Sequence, residues 1–100
     1  MPRTFNTNKY GSSWSEETKK AVWKKGNTIY GYLPDDRRSD KCGKIMKYSE
    51  HGNRDSVYGW EIDHIDPVSN GGSDDLSNLQ PLHWSNNADK ADKLYWSCPK

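Results

Sequence analysis

The run from Tyr58 to Lys90, YGWEIDHIDPVSNGGSDDLSNLQPLHWSNNADK, limits most strongly what this chain can fold into. Trp60-Glu61-Ile62 leads into an adjacent Asp63-His64 pair, and Leu79-Gln80-Pro81-Leu82-His83-Trp84 leads out. Between them, Asn70-Gly71-Gly72 is a chain reversal, because glycine tolerates positive φ. Ser85 is placed to cap a short helix running through Asn87 and Lys90 to Lys93. The run therefore predicts strand, long turn, strand, helix, with His64 ending the first strand and Asn87 on the helix that faces it. Glu61, two residues before Asp63, shares its side of the strand and is a candidate outer-shell acid.

Asn78 lies fourteen residues beyond His64, and Asn87 nine beyond that. A histidine beside a carboxylate, facing an amide oxygen across a hairpin, suits hydrolysis of a phosphodiester. Histidine has a near-neutral pKa and takes a proton from water. Asp63 and the Asn87 oxygen are hard ligands, suited to Mg²⁺ or Mn²⁺ rather than to a thiolate-type zinc site. Such an ion offsets charge on the phosphate oxygens and on the leaving 3′ oxygen. Asn78 reads on its own terms as a turn or cap residue bonded to local backbone.

IDHIDP, the GGSDD turn, NLQPL and NNADK fall in the order and spacing of the ββα-metal motif, and in these segments the chain resembles the HNH endonucleases. The resemblance implies His64 as general base, Asp63 and Asn87 holding one divalent ion, and Asn78 fixing the loop that orients the base. Asn at the third position makes this an HNN variant. The resemblance also implies products with 5′-phosphate and 3′-hydroxyl ends. Upstream, AVWKKG, the Arg38-x-Asp40-x-Cys42-Gly43 stretch and YGWEIDH resemble small stand-alone members, so the likeness covers about residues 18–94. Many such proteins bind a structural zinc through two Cys-x-x-Cys pairs. The matching positions here are Cys42 and Ile45, then His83 and Asn86, which leaves two plausible ligands where a closed site needs four. No structural zinc is expected; packing of Trp23, Trp60 and Trp84 is expected to hold the scaffold.

One hundred residues allow a single small domain. Only 31% are hydrophobic, so burial must lean on five Trp and six Tyr. Net charge is +1, but residues 1–60 hold twelve Lys/Arg against seven Asp/Glu, and residues 61–100 hold three against seven. The basic first part is the natural source of groups to meet DNA phosphates beside an acidic metal-binding part. Lys44, Lys47, Arg54 and Lys90 are the candidates, Arg54 as a bidentate clamp. The low net charge keeps a second reading open, a DNA-binding module of the same fold that cleaves poorly or not at all. Nothing resembles a signal peptide or a membrane span, so an intracellular location is expected, and with it free thiols at Cys42 and Cys98.

Residues 1–12 lack periodicity and are expected to be a flexible tail, with one domain over residues 13–96. Ser13-Trp14-Ser15-Glu16 reads as a capping box opening a helix to about Lys25, with Trp14, Thr18, Ala21 and Val22 facing inward. Residues 27–41 read as a loop, Cys42–Tyr48 as a short strand, and His51 as a surface histidine. The expected class is α+β: a ββα-metal hairpin and helix, backed by an N-terminal helix and a short strand.

Overall fold

The computed structural model describes residues 4–100. Helix α1 spans Glu16–Trp23; strands β1 (Asn27–Thr28), β2 (Arg37–Ser39) and β3 (Ile45–Lys47) follow; then come β4 (Trp60–His64), β5 (Leu79–His83) and α2 (Trp84–Lys90). β4 and β5 form an antiparallel hairpin, with Asp63 opposite Gln80 and His64 opposite Leu79. β1, β2 and β3 make a separate antiparallel sheet. This is the expected α+β arrangement, with one addition. Residues 27–41 hold β1 and β2 rather than only a loop. Their residues are exposed or half-buried, so no apolar alternation marked them as strands.

The helix caps also differ from the reading of the sequence. Ser15, not Ser13, caps α1, its Oγ accepting the Thr18 N–H at 3.1 Å. That start places Glu16 and Glu17 in the first turn, where they complement the helix dipole. His83, not Ser85, caps α2, its Nδ1 accepting the Ser85 N–H at 3.1 Å. The helix ends at Lys90 instead of Lys93. The long turn between β4 and β5 needs its glycines: Gly71 sits at φ +88°, and a Cβ on Gly72 would overlap the Asp66 carbonyl oxygen.

Val22, Trp23, Met46, Trp60, Ile62 and Leu79 form the core, with Trp14 and Tyr48 packed against it. The rings of Trp23 and Trp60 lie 5.0 Å apart, and their indole N–H groups donate to the carbonyls of Pro34 and Tyr48. Aromatic area thus does the work expected of it, although Trp84 lies apart, against His83. Trp23 joins Val22 as the buried face of α1, a place where the sequence suggested Ala21 and Thr18. Among the described residues no helix is long and apolar enough to cross a membrane.

Three features correct expectations. Cys42 and Cys98 are joined in a disulfide, not free, with their Cα atoms 5.5 Å apart. The chain turns back after α2, at Ala91 (φ +49°), and Trp96 binds the Asp89 carboxylate and faces the Lys41 ammonium, which brings Cys98 to Cys42. His51 is half-buried rather than a plain surface residue: its ring packs 4.7 Å from that of Trp60, and burial pushes its pKa down from 6.5 to about 4. Within the stretch read as a tail, Asn6 and Lys9 bond to the hairpin; residues 1–3 lie outside the described residues.

Asp40, fully buried, connects the small sheet to α2. Its Oδ1 accepts the N–H groups of Cys42 and Lys44 at 2.9 and 3.0 Å. Its Oδ2 accepts the His83 N–H and the Asn86 amide, both at 2.9 Å. Four donors offset the desolvation of one buried carboxylate.

Two outcomes follow from these corrections. The disulfide bridges a separation of 56 residues, which in the loop-entropy picture is worth about 4 kcal/mol. Urea unfolding with and without reductant should differ by about 2–4 kcal/mol; equal midpoints would rule out the cross-link in solution. His51 has a folded pKa below its unfolded one, so the unfolded chain takes up the proton first. Its contribution to stability is complete above pH 6.5 and is lost as pH falls toward 4. His51→Gln should flatten that part of the stability–pH curve, and curves of the same slope would refute the assignment.

Candidate active site

β4 is buried along its whole length because it is covered on both faces. Alternation sends Trp60 and Ile62 to the core, while Glu61 and Asp63 face α2. On α2, Asn87 and Lys90 are three residues apart and share one face. The Asn87 Nδ2 donates to Glu61 Oε1 at 2.8 Å, and the Lys90 Nζ lies 3.3 Å from Asp63 Oδ2.

His64 closes the strand. Its ring is 4% exposed, lies 5.5 Å from that of Trp14, and meets Asp74 Oδ1 through Nε2 at 2.7 Å. A carboxylate only accepts, so the Nε2–H donates to Asp74. Asn78 staples the intervening loop: its Oδ1 accepts the Asp66 N–H at 2.8 Å, and its Nδ2 donates to the carbonyls of Ser73 (2.8 Å) and Asp66 (3.1 Å). The Asn78 carbonyl accepts the Ile65 N–H. With both amide atoms spent, Asn78 ties Asp66, two residues after His64, to Ser73, one residue before Asp74.

Asp63, His64 and Asn87 line one cleft of about 170 Å³, together with Asn6, Pro67, Val68 and Asp92. Burial pushes the Asp63 carboxyl above the usual carboxylate range, and the Gln80 amide and Lys90 ammonium pull it part of the way back. Among the described residues no three His, Cys, Asp or Glu side chains gather as a metal-holding group. The donors present are the Asp63 carboxylate and the Asn87 oxygen, the latter left over because the amide nitrogen is committed to Glu61. Two hard oxygens fit a cation that keeps most of its water, as Mg²⁺ does.

The other candidates are distributed differently. Lys90 is buried, donating to the His64 carbonyl at 2.9 Å, so its ammonium is committed to the protein instead of lying free for phosphate. Arg54 grips Glu61 through Nε (2.8 Å) and Nη2 (2.7 Å), and its side chain stays 38% exposed. Lys44 donates to Ser85 Oγ at 2.9 Å, and Lys47 lies on β3; neither is among the residues lining the cleft. His83 spends both ring nitrogens, Nε2 on the Val57 carbonyl and Nδ1 on Ser85, while the Cys42 sulfur is in the disulfide.

The sequence reading missed Asp74, Gln80 and Asn6. Asp74 lies in the turn, where an acid reads as solvent-facing. Gln80 follows from the register, since it stands directly opposite Asp63, their side chains 2.9 Å apart. Asn6 carries no local signal.

No curated protein and no solved structure matches the chain. Among protein families, residues 41–93 match the one described as HNH endonuclease. That match takes in the hairpin, the stapled loop and α2, more than half of the sequence, and on it the chain belongs to the HNH endonuclease family.

Proposed function

We propose that the protein is a metal-dependent endonuclease that hydrolyses DNA phosphodiester bonds, with His64 as general base. The observation carrying this reading is the shared cleft: a histidine with a carboxylate behind it, beside two oxygen donors on facing elements. His64 Nδ1 takes the proton of the attacking water. Asp74 fixes the ring through Nε2–H and favours the imidazolium that results. Lys90, bonded to the His64 carbonyl, holds the strand end still. Asp63 and Asn87 would hold the divalent cation, Mg²⁺ or Mn²⁺, which supplies charge stabilisation at the phosphate and the departing 3′ oxygen. Arg54 has N–H groups beyond those given to Glu61, and with them it would meet a phosphate.

A second reading is a DNA-binding module of weak or no activity. It draws on the neutral Asn87 and on Lys90, whose ammonium already neutralises Asp63. Nicking of supercoiled plasmid in Mg²⁺ or Mn²⁺ separates the two. Wild type should nick, chelator should stop it, and His64→Ala should lower the rate roughly 10²- to 10⁴-fold. Nicking indifferent to His64→Ala removes His64 as the base. Retained DNA binding with no cleavage in any divalent metal favours the binding module.

A further inference from the structure

One wall of the cleft lies outside the family match. Residues 41–93 carry the match, whereas Thr4, Phe5 and Asn6 line the cleft from the N-terminal side. Asn6, Lys9 and Phe5 each hold this segment to the rest of the molecule. Asn6 Oδ1 accepts the Ile62 N–H at 2.8 Å and stands 3.1 Å from His51 Nε2. The Lys9 N–H donates to both carboxylate oxygens of Asp74, at 3.0 and 3.2 Å. The Phe5 ring lies 4.4 Å from the Arg54 guanidinium.

These contacts lead within one or two steps to Asp63, His64 and Asn87. Ile62 precedes Asp63; Asp74 holds His64; Arg54 holds Glu61, which holds Asn87. The local chain is shaped to reach these points. Asn6 sits at φ +61°, a conformation that Asn tolerates better than most residues. Asn8 Oδ1 accepts the N–H groups of Tyr10 and Ser12, closing a turn around Lys9. β4 pairs with β5 on one side; beyond a short bridge of His51 to Trp60, Asn6 supplies the acceptor for the Ile62 N–H.

We propose that residues 5–9 are a positioning strap for the nuclease centre, with Asn6 as its pin on β4 and the Lys9 amide as its pin on Asp74. The proposal rests on the nuclease reading. The strap makes no bond to substrate; it sets where Asp63 and His64 stand relative to each other.

Steady-state cleavage by the full chain tests it with two substitutions. Asn6→Gly keeps the backbone conformation and deletes the acceptor, and should lower kcat roughly 10- to 100-fold while KM stays within about threefold, the size of loss that ångström misplacement produces. Asn6→Asp keeps the acceptor and should return kcat to within about threefold of wild type. Amide exchange at Ile62 should quicken in the first variant and not in the second. A kcat unchanged by Asn6→Gly, a raised KM at constant kcat, or an Asn6→Asp as slow as Asn6→Gly overturns the strap and leaves the nuclease reading intact. Wild type that cleaves no DNA overturns both. Should Asn6→Gly melt below the assay temperature, Lys9→Pro, which removes the amide donor to Asp74, is judged by the same kcat and KM criteria.

Discussion

The buried carboxylate of Asp40 is the contact on which the placement of the other parts depends. It takes two N–H groups from its own loop, one from the end of β5 and one from α2. A charge removed from water is tolerated only when its lone pairs are filled, so the four donors have little freedom to move apart. This fixes the small sheet against the start of α2. Since Asn87 follows Asn86 directly, the same contact sets the side of the helix that meets Glu61 and Asp63. The resemblance to zinc-bearing relatives points to the same loop and helix start. Here a carboxylate joins those parts, and a disulfide ties the same loop to the segment after α2.

The cleft is built from pairs. His64 has Asp74, Asn87 has Glu61, Asp63 has Gln80 and Lys90, and Glu61 in turn has Arg54. Each group with a proposed role, His64, Asn87 and Asp63, has one side committed to a partner. Commitment removes rotamer freedom before any substrate arrives, which is the physical content of preorganisation. It also explains why so polar a set sits at the end of a fully buried strand: the pairs carry the cost of desolvation that isolated groups would not survive.

Much of this was legible in the residues. The hairpin, the glycine turn, the following helix and the shared side of Glu61 and Asp63 are local consequences of alternation and turn chemistry. What stayed hidden depends on distance along the chain. β1 and β2 are two and three residues long and bury nothing fully, so they carry no period. Cys42 and Cys98 read as free thiols because two cysteines make no disulfide framework and the chain reads as intracellular; nothing local shows that it turns back after α2 to bring them together. His51 reads as a surface residue until Trp60 is found against its ring. Asn6 and Asp74 lie 68 residues apart in the sequence yet serve the same strand end. Lys90 was visible as a helix lysine, but its burial came only with the closing of α2 over β4.

The cross-link also bears on how the molecule is made. The ring it closes contains β4, β5 and α2, while α1 and the strap lie outside it. Synthesis runs from the N-terminus, so Cys98 leaves the ribosome after every residue of that ring. The sequence holds two cysteines, so within the chain Cys42 has one possible partner, and oxidation closes this ring or none. Once closed, the bond tethers the end of the chain to the loop that carries Asp40, so release of that end from α2 cannot carry it far from the small sheet.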